Sequence, residues 1–232
     1  LERDYFNVYS AIGYHKKFSK DKNFDIAYGA KLINRFSNDY HIYPEELYGR
    51  IKYRLFIFQA GRLCKGFNNE DNKLSSGNLL WSGNAIPLPE ISIFTSDYFK
   101  LPLRNNMFSI KGGLQHGWFD NNQFIKKTRL HHKFLYLKIG GEYPVNLAFG
   151  IHHYAQWAGI SSDTLIGKLP DNLKKYMKIV FAAPGGKQSP KLEQLNAAGN
   201  HLGNYDLKIN VDLKSVKMDY YWQSIFEDKS GL

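Results

Sequence analysis

Long stretches of this chain alternate apolar and polar residues with a period of two, and the clearest stretch covers residues 204–213. Its apolar positions are Tyr205, Leu207, Ile209, Val211 and Leu213, and its polar positions are Asn204, Asp206, Lys208, Asn210 and Asp212. Because successive side chains of a β-strand point to opposite faces, the pattern predicts a strand with one apolar and one polar face. Residues 216–223 alternate in the same way after a short turn at 214–215, which predicts a hairpin.

The same alternation recurs along the chain, clearly at 24–32, 50–57 and 145–152, and more weakly at 5–15, 91–98, 107–118 and 130–139. Several of these stretches are about ten residues long, as tilted membrane-spanning strands are, whereas ordinary globular strands average about five or six. Short turns at 140–141 and 214–215 would alternate with long loops at 68–89 and 159–203. That alternation of turns and loops is typical of outer-membrane barrels.

The sequence therefore predicts an all-β fold, an antiparallel transmembrane β-barrel with a short helical insertion in a long loop. We expect residues 1–232 to be a single barrel domain cut from a longer barrel, with the loop and helix insertion at 160–202. Asp171 is expected to cap a helix at 172–182. The apolar face of that helix would hold Leu173, Tyr176, Met177, Val180 and Phe181. A second short helix fits residues 191–198, and both helices are expected to cover or plug an opening.

The chain is basic, with 31 Lys and Arg against 21 Asp and Glu and a formal net charge of +10. Such a charge favours an acidic partner, namely nucleic acid, anionic lipid or an acidic polysaccharide. The charge is spread without a dense basic run, so a nucleic acid is not expected.

Five residues are candidate polysaccharide ligands. Arg50, Lys52 and Arg54 form a basic stripe on the polar face of one predicted strand, which is either an ordinary solvated face or an attractive surface for an acidic polymer. Trp81 and Trp157 are predicted in loops beside polar residues, where an aromatic ring either packs within the loop or stacks on a sugar.

Motifs for catalysis or for metal binding do not occur in the sequence. The eight histidines include two doublets, His131-His132 and His152-His153, but neighbours in a strand point to opposite faces, so each doublet offers at most one ligand per face. Neither an HExxH motif nor a cysteine pair accompanies them, and GxSxG and phosphate-binding loops are also missing. We expect the histidines to line a wet lumen as hydrogen-bonding residues, and we expect neither an enzyme nor a cofactor or metal site.

Six segments occur in order along the chain: LSSGNLLWSGNAIPLPEI (74–91), GLQHGWF (113–119), RLHHKFLYLKIGG (129–141), GIHHYAQWAG (150–159), NHLGNYDLKIN (200–210) and YYWQSIFEDKSGL (220–232). Together they resemble the capsule assembly Wzi family, especially its Bacteroidetes branch, from about residue 47 onward. The resemblance implies a monomeric barrel of about 18 strands in the outer membrane of a Gram-negative cell. It also implies lectin-like, non-catalytic retention of capsular polysaccharide. This chain holds roughly half of those strands.

Two alternatives remain open from the sequence. A porin-like channel or an export-machinery component would share the barrel, and a helix at 172–182 and a loop at 68–89 folded into the lumen would argue against free diffusion. A soluble β-rich carbohydrate-binding module would instead carry polar residues on the outside of every strand and one apolar core.

Overall fold

The computed structural model describes residues 7–36, 40–64, 78–82, 85–121, 124–163, 167–184 and 199–227. In this part of the chain there are fourteen strands and one helix: β1 (Val8–Lys16), β2 (Phe24–Phe36), β3 (Tyr40–Tyr53), β4 (Phe56–Arg62), β5 (Glu90–Thr95), β6 (Phe99–Lys100), β7 (Phe108–Trp118), β8 (Ile125–Lys126), β9 (Arg129–Ile139), β10 (Val145–Trp157), β11 (Gly159–Ser161), β12 (Lys168–Leu169), α1 (Leu173–Val180), β13 (Asn200–Leu213) and β14 (Val216–Glu227). The predicted all-β, antiparallel class is confirmed.

The chain divides into two compact units, Leu1–Ile91 and Ser92–Leu232. In the first unit, β1 to β4 pair in chain order, and each strand is antiparallel to the next. A β-bulge interrupts the β2–β3 ladder: Lys31 pairs with Glu46 and Leu32 with Pro44, so Glu45 is the additional residue. The carboxylate of Glu45 forms an ion pair with the Lys31 ammonium at this bulge.

The second unit is a meander in the order β5-β7-β9-β10-β13-β14, with β6 paired to β7. The short strands β8, β11 and β12 form a separate three-stranded sheet. The hairpin predicted for 204–223 is confirmed, since β13 and β14 are joined at Lys214 and Ser215. The turn between β9 and β10 begins at Gly140 and Gly141, whose φ angles of 139° and 57° suit glycine.

The long strands of both units carry polar and apolar side chains on opposite faces. In the second unit we call the side of Gln115, His132, His152, Asp206 and Gln223 the polar face, and the side of Leu114, Leu135, Ile151, Leu207 and Trp222 the apolar face. In the first unit the polar face carries Asp25, Arg50, Lys52 and Gln59, and the apolar face carries Ile26, Ile51 and Phe58.

The polar faces are the more buried of the two. Gln115, His132, His152 and Asp206 are buried, whereas Leu114, Leu135, Ile151 and Trp222 are exposed. The first unit repeats the pattern, with Asp25 and Gln59 buried and Ile26, Ile51 and Phe58 exposed. This order is the reverse of the one in water-soluble domains, where apolar residues fill the interior.

Helix α1 begins one residue later than the sequence suggested. Its N-cap is Asn172, not Asp171, because Asn172 has extended backbone and its Oδ1 accepts the Lys175 backbone N–H at 2.9 Å. The Asp171 carboxylate lies instead 3.6 Å from the Arg129 guanidinium. Within the described residues, no helix has the length and hydropathy needed to cross a membrane.

The segment predicted as a loop over 159–203 is partly strand. Gly159–Ser161 pairs with both β8 and β12, and β13 already begins at Asn200. The second helix expected at 191–198 lies outside the described residues, as does most of the loop at 68–89.

Gly61 and Gly49 give a matched test of the β3–β4 ladder. Gly61 has φ of 114°, and a Cβ there would lie 2.1 Å from the Leu47 carbonyl oxygen. We expect Gly61→Ala to lower the free energy of unfolding by about 1–3 kcal/mol, since alanine is strained in this conformation. Gly49→Ala should leave it nearly unchanged, because nothing lies within 4 Å of the added methyl. Denaturant unfolding of both variants measures this, and equal stability would contradict the backbone geometry at Gly61.

Candidate functional site

A chain of hydrogen-bonded side chains crosses the polar face of the second unit. The Nδ1 atom of His132 lies 2.8 Å from Gln115 Oε1, and its Nε2 atom lies 2.9 Å from Nδ1 of His152. His152 Nε2 is 2.7 Å from the Tyr136 hydroxyl, which donates to Asp206. All five side chains are buried, so each depends on its neighbours for hydrogen bonds that water would otherwise supply.

Asp206 fixes the direction of this chain, because a carboxylate only accepts hydrogen bonds. The Tyr136 hydroxyl therefore donates to Asp206, His152 donates through Nε2 to Tyr136, and His132 donates through Nε2 to His152. Because an uncharged imidazole donates from one nitrogen only, Nδ1 of His132 then accepts, and the Gln115 side-chain amide must turn its NH2 group towards it. Gln223 Nε2 also donates to Asp206 at 3.0 Å, and the Asn204 amide donates to it as well. The carboxylate is thus held by donors from β9, β13 and β14.

Aromatic rings pack closely around the same network. The rings of His132 and Tyr154, which pair across β9 and β10, are stacked 3.9 Å apart at an angle of 3°. The Tyr136 ring lies over Gly150, where an added Cβ would come within 2.1 Å of its Cε1 atom. Gly150 therefore makes room for Tyr136 to reach both His152 and Asp206.

Three lysines stand beside the network on the polar face. Lys138 and Lys208 both pair with Ala148, one from each side, so they lie about 10 Å apart, two strand spacings. Lys111 pairs with Tyr136 on the next strand, β7. The ring of Tyr98 contacts two of them, with Lys111 Nζ 5.9 Å and Lys138 Nζ 5.5 Å from its centroid. The arrangement combines positive charge with an aromatic surface, the chemistry that an acidic sugar chain requires.

Only one histidine of each doublet belongs to this network, as the alternation of strand side chains predicts, and the wet lumen expected around the histidines stays a prediction. His132 and His152 join the polar network, but His131 and His153 point to the apolar face, as the strand alternation requires. There His153 Nε2 lies 2.7 Å from His201 Nδ1, and His131 Nδ1 lies 3.3 Å from the Tyr176 hydroxyl of α1. Among the residues that the structure describes, no group of three or more His, Cys, Asp and Glu is arranged to hold a metal ion.

The predicted basic stripe is only partly on one strand. Arg50 and Lys52 share the polar face of the first unit, and their charged groups lie 5.1 Å and 5.7 Å from the ring centroid of Phe18. Arg54 lies beyond the end of β3, in the turn to β4, with φ of 53°. The expectation that all three project from one strand is therefore wrong for Arg54, because the strand ends at Tyr53.

Trp157 is not in a loop. It is the last residue of β10 and is 4% exposed, packed with Ala155, Ala158 and Ile179. A ring so enclosed has no free face for a sugar, so the position expected for Trp157 is wrong. Trp81 is half-buried in the segment 78–82, and its proposed contact with sugar stays a prediction.

Sequence reasoning missed Lys111, Lys138 and Lys208 because each is a single lysine on a separate strand. The alternation places each on the polar side of its own strand, but only the register brings the three together.

No family model, curated protein or solved structure matches this chain. Its function must therefore be inferred from the two faces and from the side chains that they carry.

Tyr136→Phe tests the polar network. Removing the hydroxyl takes one buried hydrogen-bond partner from each of Asp206 and His152, so we expect a loss of about 1–3 kcal/mol of unfolding free energy. Tyr143→Phe is the control, since Tyr143 is exposed in the turn between β9 and β10. The two midpoints in denaturant give the comparison, and a Tyr136→Phe variant as stable as its control would mean that the network does not stabilise the sheet.

Proposed function

We propose that this chain is part of an outer-membrane β-barrel that retains acidic capsular polysaccharide at the cell surface, as its resemblance to the Wzi family implies. In this proposal the barrel is monomeric and binds the polymer without catalysis and without a cofactor. The observation that carries the membrane part is the burial pattern: large apolar side chains are exposed on one face of the long strands, while polar side chains are buried on the other.

Physical chemistry favours lipid as the surroundings of the apolar faces. Water-soluble monomers rarely expose a continuous apolar surface of more than a few hundred Å². Here exposed apolar residues occur on successive strands of the second unit, including Leu114 of β7, Leu135 of β9, Ile151 of β10 and Trp222 of β14. Transmembrane barrels have this arrangement, with apolar residues towards lipid and polar residues towards the lumen.

The polar face supports an acidic polymer as the ligand. Lys111, Lys138 and Lys208 bring three positive charges to one surface, and Tyr98 adds an aromatic ring beside two of them. The net charge of +10 would attract a polyanion from solution. Part of the attraction should weaken as salt rises, because charges are screened over about 8 Å at 0.15 M ionic strength.

A matched pair of leucines tests whether the apolar face contacts lipid. Leu135 lies on this face and is 56% exposed, and Leu103 lies in the segment between β6 and β7 and is 55% exposed. Arginine at Leu135 should cost about 2–4 kcal/mol if the site is near the bilayer midplane. Leu103→Arg should change the stability by no more than about 0.5 kcal/mol, as surface substitutions usually do.

Folding into lipid vesicles with a denaturant titration measures both variants. The two leucines match in residue type and exposed fraction, so water alone would make both substitutions nearly neutral. Equal small effects would therefore exclude lipid at Leu135 and favour the soluble module.

The capsule role is tested by removing the three lysines of the polar face. We expect Lys111→Gln, Lys138→Gln and Lys208→Gln together to release capsular polysaccharide from cells into the medium, because the polymer loses its positive partners. The control is Lys22→Gln, Lys127→Gln and Lys214→Gln, which removes the same charge from segments between strands, outside the polar face. The measurement is the ratio of cell-bound to released capsule at matched levels of folded, inserted protein.

Two further strains separate the possible outcomes. Deletion of the gene should release capsule at least as strongly as the triple variant does, and unchanged retention after deletion would remove the capsule role itself. If deletion releases capsule but the triple variant does not, the site lies elsewhere. The Arg50→Gln and Lys52→Gln variant then tests the polar face of the first unit.

A further inference from the structure

Helix α1 is fixed to the apolar-face side of the second unit, not to the polar face. Ile179 packs with Ala155 and Trp157, and the Tyr176 hydroxyl lies 3.3 Å from His131 Nδ1. Lys133 Nζ donates to the carbonyl oxygen of Val180, near the end of the helix. These strand residues share a face with the exposed Leu135 and Ile151. The expectation that the helix covers or plugs an opening stays a prediction.

The side of α1 that faces away from the sheet is apolar. Leu173, Met177 and Phe181 follow each other at intervals of four, so they lie on one side of the helix, and they are 74%, 45% and 70% exposed. The buried residues of α1 are Lys175 and Ile179, which lie outside the predicted apolar face. The aliphatic stem of Lys175 can pack as an apolar chain.

Two lysines complete the helix surface. Successive residues turn by about 100° around a helix axis, which places Lys174 and Lys178 next to the stripe of Leu173, Met177 and Phe181. Lys174 is exposed and Lys178 is half-buried. The helix thus has one side on the sheet, one apolar side and one basic side, the composition of helices that lie in a membrane interface.

The topology puts α1 at one particular end of the strands. It follows the end of β10 and precedes β13, opposite the turns after β9 and β13. In outer-membrane barrels the short turns are periplasmic and the longer loops are extracellular. If the proposed function holds, α1 lies at the level of the outer leaflet.

We propose that α1 is an interfacial anchor for anionic, phosphate-bearing lipid of the outer leaflet. Leu173, Met177 and Phe181 contact the acyl chains, and Lys174 and Lys178 bind the lipid phosphates. Charge complementarity favours this partner, because a neutral lipid or a peptide groove would leave the two ammonium groups without a counterion beside the apolar stripe. The inference rests on the proposed membrane location and goes beyond it by assigning a lipid site.

Depth-dependent quenching tests the position of the helix. In a Cys64→Ser background, the whole protein is labelled with bimane at Met177→Cys, at Lys174→Cys or at Leu135→Cys, and is inserted into phosphatidylcholine vesicles with or without brominated acyl chains. We expect strong quenching at Met177→Cys and weaker quenching at Lys174→Cys. Quenching at Leu135→Cys alone would overturn the anchor but leave the membrane proposal intact, and no quenching at either Leu135→Cys or Met177→Cys would overturn both.

A second experiment tests the phosphate contact. The probe is diphosphorylated lipid A in nanodiscs of phosphatidylcholine, and the readout is the number of lipid A molecules retained by the protein in native mass spectrometry. Each lysine near an anionic surface contributes roughly 1 kcal/mol, so Lys174→Gln and Lys178→Gln should each weaken the affinity for lipid A by about fivefold, and the double variant carries both losses. Lys214→Gln with Lys217→Gln, in the β13–β14 turn and the first residues of β14 at the end of the strands opposite α1, is the matched control. Equal retention in the two double variants would rule out the lysines as lipid ligands.

Discussion

The alternation of side chains across a strand is the constraint on which this structure depends. Because successive side chains point to opposite faces of a strand, the polar and the apolar side chains of these strands meet two different environments, one on each face of the sheet. On the buried side, polar groups satisfy each other through the chain from Gln115 to Asp206. The sheet is consequently held on that side by hydrogen bonds and ring stacking, while its large aliphatic residues are left on the other.

The sequence predicts those parts of the fold that a local pattern encodes. The β13–β14 hairpin has a strict alternation on both sides of a short turn, so its position follows from periodicity alone. At β10 the alternation fails after Ile151, where His153, Ala155 and Trp157 occupy the apolar side. These residues suit a surface covered by α1, and no local pattern reveals that a distant helix covers it. For the same reason, Trp157 was predicted to lie in a loop, although it is the last residue of β10.

Parts of the candidate site were less predictable, because they are assembled from several strands. The opposite orientation of the two histidines in each doublet follows from strand geometry, and the structure has it. The partners of each histidine do not follow, since Gln115, Tyr136 and Asp206 come from segments far apart in the chain. Helix α1 illustrates the same limit. The predicted range of 172–182 is close to the observed Leu173–Val180, but the sequence of an apolar stripe does not show whether the stripe packs on a sheet or faces the surroundings of the protein.

The contact of Tyr136 with Gly150 has a consequence for how β9 and β10 find each other. A slip of one residue would still offer a histidine to both faces, because each doublet carries one on either side, so the doublets themselves discriminate poorly between the two alignments. The neighbours of Gly150 are Phe149 and Ile151, and neither leaves room for a ring lying flat on the strand. Gly150 thus favours the observed register of β9 and β10 over one shifted by a single residue. The histidine doublets do not provide this selectivity.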